Sequence, residues 1–267
     1  MLKKPFYHLN NINRDTSMKT FLTILLLAVS ASSLAVDNFD TTAEKIKSAL
    51  QAEIRTEAET DRDRNRKALE TLEFFGLRDD MRIIELVPGG GWYTKILAPV
   101  VSDKGQYYAA IGAGRIKVLT KESGFEKIKI VAKESKIYRK EGDRFYSLEA
   151  DSLGVEDLDI VFTFRNYHNF GEDGRRNMNK LAFEALKPGG VYAVVDHTAR
   201  HMEQQTPANR RRIDPVLAIK EIQEAGFEMV DYTDLHYRAD DELRFEVGVK
   251  SVTGNSDRWT IKFRKPK

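Results

Sequence analysis

The stretch IIELVPGGGWYTKIL, residues 83–97, joins an apolar run, a turn with three consecutive glycines and an amphipathic segment. The apolar run predicts a buried strand, and the segment after the glycines predicts a helix. Glycines at such a junction let the backbone turn sharply and approach a ligand closely, and the following helix offers free N–H groups. The pattern is typical of proteins that cradle a nucleotide-like cofactor, although such turns also occur without any ligand.

Strand and helix patterns alternate outward from this stretch through most of the chain. This alternation predicts an α/β fold with a mostly parallel sheet and helices on both faces. In such sheets, ligands lie at the carboxyl ends of the strands. The predicted strands cover residues 81–87, 105–111, 128–132, 144–150, 158–164, 191–197, 228–235 and 258–265, and the predicted helices cover residues 41–75, 91–101, 174–190 and 215–227.

The composition suits one globular domain with a short appendage. The chain has 267 residues, of which 41% are hydrophobic and 31% charged, and it contains no cysteine. The lack of cysteine excludes disulfides, thiolate metal sites and a cysteine nucleophile. We expect an N-terminal helical segment over residues 36–76 and an α/β domain over residues 77–267. The charge run ETDRDRNRK, residues 59–67, has no apolar stripe and is expected on a solvated helix face.

The first 35 residues have the pattern of an export signal. After Met18 come one lysine, the apolar run at residues 21–29 and the small-x-small sequence SLA at residues 33–35. We therefore expect translation to start at Met18, cleavage after Ala35 and a periplasmic or secreted protein. An uncleaved anchor is the alternative, although the apolar run is short for a bilayer, so no stable membrane insertion is expected after cleavage.

Removal of residues 1–35 also changes the charge balance of the chain. The formal net charge falls from +2 to −1, because four of the 43 basic residues and one of the 41 acidic residues are lost. No basic surplus then remains to attract nucleic acid, so we expect a small-molecule substrate and no nucleic-acid partner.

Two polar motifs lie at the carboxyl ends of predicted strands. RNYHN, residues 165–169, comes after DIVFTF, and the pair Asp196 and His197 comes after YAVV. If the two strands are neighbours, their ends lie about 4.8 Å apart and bring these side chains into one small space. The resulting catalytic candidates are Arg165, Asn166, His168, Asp196 and His197.

Histidine titrates near neutral pH, so His168 is the candidate to take a proton from an acceptor. Asp196 would orient the imidazole, and Asn166 or Arg165 would position the acceptor. A structural role for His168, as a helix cap or in a loop, is the alternative. A metal site from His168, Asp196 and His197 lacks the HxH or HExxH spacing, so none is predicted, and a serine hydrolase lacks a GxSxG elbow.

Three further residues are site candidates. Tyr93, in the helix after the glycine turn, is expected to face the same cleft. Arg212 and Asp214 belong to RRID, residues 211–214, at the start of a predicted helix. Arg212 is a candidate clamp for a carboxylate or phosphate of the substrate, and a surface salt bridge is the alternative interpretation.

The motifs PGGGWYT, RNYHN, DH, RRID and a terminal DRW…FRKP together resemble a bacterial family of exported class I S-adenosylmethionine-dependent methyltransferases. The resemblance covers roughly residues 60–267. It implies a seven-stranded Rossmann-like sheet with an antiparallel last strand and S-adenosylmethionine as cofactor. Carried over to this chain, Glu85 and the glycines of the turn would line the methionine and ribose end of the cofactor, namely Gly89, Gly90 and Gly91.

The sequence departs from the superfamily pattern at two places. Val87 stands where a glycine is usual, and Ile111 with Gly112 stands where an acid usually binds the ribose hydroxyls. Glu149 or Asp151 matches the position at which an acid often meets the adenine amine.

The resemblance implies methyl transfer to a small or surface-exposed acceptor. The alternative is an exported Rossmann-like protein that binds another ligand, or catalyses other chemistry, without S-adenosylmethionine. The departures at the second strand and the export signal favour this alternative, whereas the glycine turn and the motifs favour methyl transfer.

Overall fold

The computed structural model describes residues 39–267 of the chain. The predicted leader, residues 1–35 with cleavage after Ala35, lies outside the described residues. Within residues 39–267, no helix is both long and apolar enough to cross a membrane.

The segment before the first strand is helical but interrupted. The sequence predicts helix over residues 41–75, and the structure divides this stretch, in part because Lys67 adopts a left-handed conformation with φ 42°. Gly76, with φ 79°, ends the last of these helices as its position predicts. The charge run was expected on a solvated helix face, and this expectation is wrong at Arg66, which is only 4% exposed. The helices are α1 (Phe39–Leu50), α2 (Glu57–Thr60), α3 (Asp63–Arg66) and α4 (Ala68–Phe75).

The remaining elements alternate between strands and helices. The strands are β1 (Arg82–Leu86), β2 (Gln106–Ala110), β3 (Lys129–Ile130), β4 (Lys136–Tyr138), β5 (Ser147–Glu149), β6 (Leu158–Phe164), β7 (Leu186–His197), β8 (Glu228–Thr233) and β9 (Arg258–Arg264). The helices are α5 (Thr94–Val101), α6 (Glu172–Ala185) and α7 (Pro215–Glu224), with 3₁₀ helices at Ala113–Lys121 and Tyr167–Asn169.

Seven strands form one mixed sheet in the order β3-β2-β1-β6-β7-β9-β8. Strand β9 runs antiparallel to both β7 and β8, and the other pairs are parallel. The predicted Rossmann-like sheet of seven strands with an antiparallel strand is therefore confirmed. The strand order reverses between β1 and β6, and ligands of such sheets bind outside the carboxyl ends of the strands at this point.

Both faces of the sheet are buried, as the apolar runs of its central strands require. On one face Ile83 and Phe162 enter an apolar core that α1, α4 and α5 cover. On the other face Ile84 and Val161 enter a core that α6 and α7 cover. The polar residues that the sequence places after these strands are thereby left at the carboxyl edge.

Two predicted features differ from the structure. The strand predicted over residues 144–150 is β5, which pairs antiparallel with β4 in a separate two-stranded sheet and does not join the main sheet. The third position of the main sheet is taken by β3, which lies in the stretch predicted over residues 128–132. The helix predicted over residues 174–190 ends at Ala185, and β7 begins at Leu186, where the sequence patterns predicted helix.

Three strands of the main sheet are each followed by a non-glycine residue whose backbone is in the left-handed conformation. Val87 after β1 has φ 54°, Ile111 after β2 has φ 60°, and Arg165 after β6 has φ 59°. Such conformations cost on the order of 1–3 kcal/mol each and persist where the surrounding structure enforces them, often at functional sites. These three strained residues therefore lie at the edge where the fold places a ligand.

Candidate active site

A cavity of about 190 Å³ lies against the turn after β1. We call it the glycine-turn cavity. The turn contributes Gly89 and Gly90, β1 contributes Glu85, and the segment before the sheet contributes Arg62 and Arg66. Its lining also includes Trp92, Tyr93, Phe164, Arg165 and Asn166.

The three glycines of the turn have different surroundings. A methyl group added at Gly89 or Gly90 would meet no atom within 4 Å, so the backbone there is open to a close approach. At Gly91, a methyl group would lie 3.0 Å from Leu119 and 3.1 Å from Ile116. The first two glycines therefore face open space, whereas the third allows the turn to pack on the 3₁₀ helix Ala113–Lys121.

Glu85 is buried at the floor of this cavity and is 3% exposed. Its Oε2 accepts hydrogen bonds from the hydroxyl of Tyr107 at 2.6 Å and from that of Thr94 at 2.8 Å. Burial raises the pKa of Glu85 to about 7, although these two hydrogen bonds and the charge of Arg66 act to lower it. Near neutral pH the carboxyl group is thus divided between its acid and its carboxylate form.

Asn166 and Tyr93 shape the wall of the same cavity. The Asn166 Nδ2 donates to the carbonyl oxygens of Val87 at 2.9 Å and Phe164 at 3.0 Å. These bonds tie the end of β6 to the strained turn after β1. Tyr93 is buried and stacks on Phe164 with ring centroids 3.6 Å apart.

A second cavity, of about 350 Å³, lies at the ends of β6 and β7. We call it the histidine cavity, because His168 and His197 line it. The two strands are parallel neighbours, as the polar motifs required, and Phe164 pairs with Val195 at their ends. The two imidazole rings are 5.5 Å apart between centroids.

Asp196 holds His168 in place. Its Oδ1 lies 2.5 Å from the His168 Nδ1, and its Oδ2 accepts from the His168 backbone N–H at 2.8 Å. The carboxylate is fully buried and also accepts from the His197 backbone N–H at 2.7 Å. An acceptor at Nδ1 places the proton of a neutral imidazole on that atom and leaves the lone pair on Nε2, which has no hydrogen-bond partner among residues 39–267.

His197 is held differently from His168. Its Nδ1 lies 2.9 Å from the Ser256 hydroxyl. Burial, and then the neighbouring His168, hold the pKa of His197 well below its ordinary value, so this imidazole is neutral at physiological pH.

The two cavities meet at three arginines. Arg62, Arg66 and Arg165 line both of them. The Arg66 guanidinium lies 4.2 Å above the Trp92 ring centroid, and the Trp92 Nε1 donates to the Glu59 carbonyl at 2.8 Å. The segment before the sheet is thereby fixed over the strand ends, where it forms part of both cavities.

Glu149 and Asp151 lie elsewhere. They line a third cavity, of about 500 Å³, that shares no lining residue with the glycine-turn cavity. The Glu149 carboxylate accepts from the Tyr138 hydroxyl at 2.5 Å. After β2, a methyl group at Gly112 would lie 3.0 Å from Ile137, so an apolar side chain of β4 covers the place of the usual ribose acid.

Arg212 and Asp214 are engaged within the fold. Arg212 is 1% exposed, pairs with Asp241 at 2.9 Å and donates to the carbonyls of Thr198 at 3.1 Å and Phe245 at 2.7 Å. Asp214 caps α7 by accepting from the backbone N–H of Val216 at 2.9 Å. Neither residue lines the glycine-turn cavity or the histidine cavity.

The structure therefore brings most of the predicted site residues together and adds others that the sequence patterns did not single out. Arg66, Arg258 and Trp92 are the main additions. Arg66 belongs to the charge run, and Arg258 to the DRW motif, but neither position has a spacing that predicts a site. In the described part of the chain, no group of three or more His, Asp or Glu residues is arranged to hold a metal ion.

Neither a protein-family model nor a curated protein matches this chain in sequence. Among solved structures, it is similar to a SAM-dependent methyltransferase from Aquifex aeolicus, with TM-score 0.54 and 15% identity over 83% of this chain and 97% of that one. It is also similar to the [4+2]-cyclase SpnF, with TM-score 0.51 and 14% identity over 81% of this chain and 85% of that one. Structural similarity at such low sequence identity supports a shared fold and says nothing of a shared function. The chain has the Rossmann-like class I methyltransferase fold.

Proposed function

We propose that this chain is an S-adenosylmethionine-dependent methyltransferase whose acceptor binds in the histidine cavity. The observation that carries the proposal is the junction of the two cavities at Arg62, Arg66 and Arg165. One cavity has open glycine backbone at the strand end where this fold binds its ligands, and the other has an oriented imidazole. A donor and an acceptor bound in the two cavities would therefore adjoin.

The residues of the glycine-turn cavity fit the methionine end of the cofactor. Gly89 and Gly90 leave room for a ligand against the backbone, and Arg66 has a guanidinium suited to the cofactor carboxylate. Glu85 lies at the floor of the cavity, where its carboxyl group could accept from the cofactor amine. When bound, S-adenosylmethionine supplies an electrophilic methyl group.

His168 acts as the general base of the proposed reaction. Asp196 accepts a hydrogen bond from the Nδ1–H group and fixes the ring, so that Nε2 is free to take the proton of an O–H or N–H group on the acceptor. Loss of that proton would free a lone pair on the acceptor, which would take the methyl group as its bond to sulfur breaks and leave the thioether S-adenosylhomocysteine as the second product. His197 stays neutral beside it and therefore does not repel the proton that His168 gains.

Calorimetric titration of the purified protein with S-adenosylmethionine and S-adenosylhomocysteine tests the proposal. We expect saturable heat with both ligands, and no heat at millimolar ligand would refute it. Gly90→Leu places a side chain in the open space beside the turn and should abolish the binding. Gly90→Ala adds only one methyl group at the same backbone position and should retain ligand binding. The two variants together distinguish a side chain that blocks the ligand from an effect of losing the glycine.

A second candidate function keeps the fold and the histidine cavity but not the cofactor. The observation that favours it is the apolar side chain of Ile137 over Gly112, at the strand end where the resemblance implies a ribose-binding acid that this chain lacks. A solved neighbour described as a [4+2]-cyclase shows that this fold carries other chemistry. Mass spectrometry of ligand that co-purifies with the protein would decide, because an adenosyl compound supports methyl transfer and any other compound supports this candidate.

We also propose that the protein is exported and acts in the periplasm or outside the cell. The apolar run at residues 21–29 and the SLA sequence at residues 33–35 support this proposal. Sequencing the N-terminus of the mature protein tests it. Val36 is the expected first residue, and an intact Met18 terminus would contradict export with cleavage.

A further inference from the structure

The histidine cavity has a strongly positive lining. Of its lining residues, five are arginines and none is an aspartate or a glutamate. Asn65, Asn169 and Ser256 add polar groups. The arginines come from the segment before the sheet, the end of β6, the loop before α7 and the start of β9, and they are Arg62, Arg66, Arg165, Arg211 and Arg258.

Four of these five cations have no carboxylate partner. Arg211 pairs with Glu246, but within residues 39–267 no carboxylate oxygen lies within 4.0 Å of the other four guanidinium groups. Arg258 is only 6% exposed, and its Nη1 donates to the Asn65 carbonyl at 2.7 Å. Its Nε is buried without any partner, as is the Nε of Arg165.

Buried arginines elsewhere in residues 39–267 are neutralised. Arg55 pairs with Asp63 at 2.5 Å, and Arg175 pairs with Glu221 at 2.6 Å. Arg212 likewise pairs with its own carboxylate. Only the buried arginines at the histidine cavity, Arg66 and Arg258, lack such a partner. Among the buried arginines of residues 39–267, those away from this cavity thus have a carboxylate partner, whereas the two that line it do not.

Uncompensated cations in a buried cluster are costly, because each loses hydration and repels the others. Burial, and then the charge of Arg165, lower the pKa of Arg66 to about 8. The same two causes lower the pKa of Arg258 to about 10. An anion that entered the cavity would offset both effects and would satisfy the donors that are left without partners.

We propose that the histidine cavity binds an anionic oxygen group, phosphate or carboxylate, of the methyl acceptor. Guanidinium groups match both anions through paired N–H donors. The volume of 350 Å³ suits a small molecule that carries the anion and a nucleophilic O–H or N–H group. The anion is held by Arg62, Arg165 and Arg258, and the nucleophile then lies beside the His168 Nε2.

The positive lining continues beyond His168. A neighbouring cavity of about 260 Å³ shares His168, Asn169 and Arg211 with the histidine cavity. It adds Arg139, Arg144 and Arg210. An approaching anion therefore meets positive charge before it reaches the buried arginines, and this attraction raises its rate of association.

The identification of the bound molecule as the methyl acceptor rests on the proposed function. That function also brings one negative charge to this region. The carboxylate of S-adenosylmethionine would compensate one arginine, Arg66. Arg62, Arg165 and Arg258 remain without a partner, so the cofactor alone does not satisfy the cluster. A separate anion is needed.

Calorimetric titration with sodium phosphate and with sodium acetate, in low-ionic-strength buffer without cofactor, tests the inference. We expect saturable binding of at least one anion, and the stronger of the two identifies the group on the acceptor. Arg62→Gln removes an exposed member of the cluster without a loss of buried contacts. This variant should weaken anion binding at least about tenfold, because a charge-assisted hydrogen bond to the anion is lost.

Arg176→Gln is the matched control, because it removes the same charge from an exposed arginine that lines neither cavity and pairs with Glu172 and Glu224. It should leave anion affinity unchanged. Absence of saturable binding of both anions, or equal weakening by Arg62→Gln and Arg176→Gln, overturns the inference.

The test is independent of the proposed function. Anion binding without S-adenosylmethionine binding retains the anion site and refutes methyl transfer. S-adenosylmethionine binding without anion binding retains methyl transfer and refutes the anion site.

Discussion

The wild-type protein should lose stability as the pH rises and Glu85 ionises, and replacement of Glu85 by glutamine should prevent this loss. The carboxyl group is buried, and both of its hydrogen bonds, from Tyr107 and Thr94, reach the same oxygen. An amide oxygen accepts the same two bonds, so Glu85→Gln preserves the local contacts while it removes the titration.

The magnitude is set by the pKa of this group. Burial raises the pKa of Glu85 from its ordinary 4.5 to about 7, so the folded state holds a proton that the unfolded state has released. Between about pH 4.5 and pH 7 the folded state binds more protons, and the free energy of unfolding falls with rising pH. At about 1.36 kcal/mol per pH unit, the wild type loses about 3 kcal/mol across this window.

Urea denaturation of both proteins at intervals from pH 4.5 to pH 8 measures this effect. Other titrating groups contribute equally to the two proteins, so the difference between their free energies of unfolding isolates Glu85. We expect the variant to gain about 3 kcal/mol relative to the wild type by pH 7 and no more above it. A difference that stays constant across the window would show that the carboxyl group is not protonated in the folded state.

The geometry predicts three further outcomes. Gly91→Ala should lower the free energy of unfolding, measured in urea, by about 2 kcal/mol, because the added methyl group meets the 3₁₀ helix and the residue has φ 84°. Gly90→Ala is the control and should change this free energy by less than about 0.5 kcal/mol. Equal changes in the two variants would contradict the surroundings assigned to the two glycines. Arg212→Ala should destabilise the fold by about 3–5 kcal/mol by leaving Asp241 unpaired, and a change below about 1 kcal/mol would contradict a structural ion pair. His168→Ala should leave S-adenosylmethionine affinity within about twofold, because His168 does not line the glycine-turn cavity, and calorimetry showing a larger loss would mean that the two cavities are not separate.

Sequence patterns predicted the sheet and the polar edge of this protein because both depend on local signals. The apolar runs of β6 and β7 show that the strands are buried, and two parallel neighbours bring the residues after their carboxyl ends side by side. For that reason His168, Asp196 and His197 were expected close together, and they are. Their proximity depends on one further condition, that β6 and β7 are neighbours, and the family resemblance implied this pairing.

The arginines of the site depend on distant contacts, and local patterns do not contain them. Arg66 lies in α3, a helix of four residues, which is too short to show a periodic apolar face. Its burial results from packing of the early segment over Trp92. Arg212 looks accessible at the start of a helix, but its partner Asp241 lies 29 residues later in the chain and makes it part of the interior.

The segment that carries Arg62, Asn65 and Arg66 precedes the sheet, yet it supplies part of both cavities. Glu59 binds it to the turn before α5 through the Trp92 indole, and to α5 itself through an ion pair with Lys95 at 2.7 Å. Relatives that kept the same strands but replaced this preceding stretch would present different charges to their ligands. Ligand preference in such proteins could then diverge without any change in the central scaffold, and comparisons confined to the strands would miss the residues that set it.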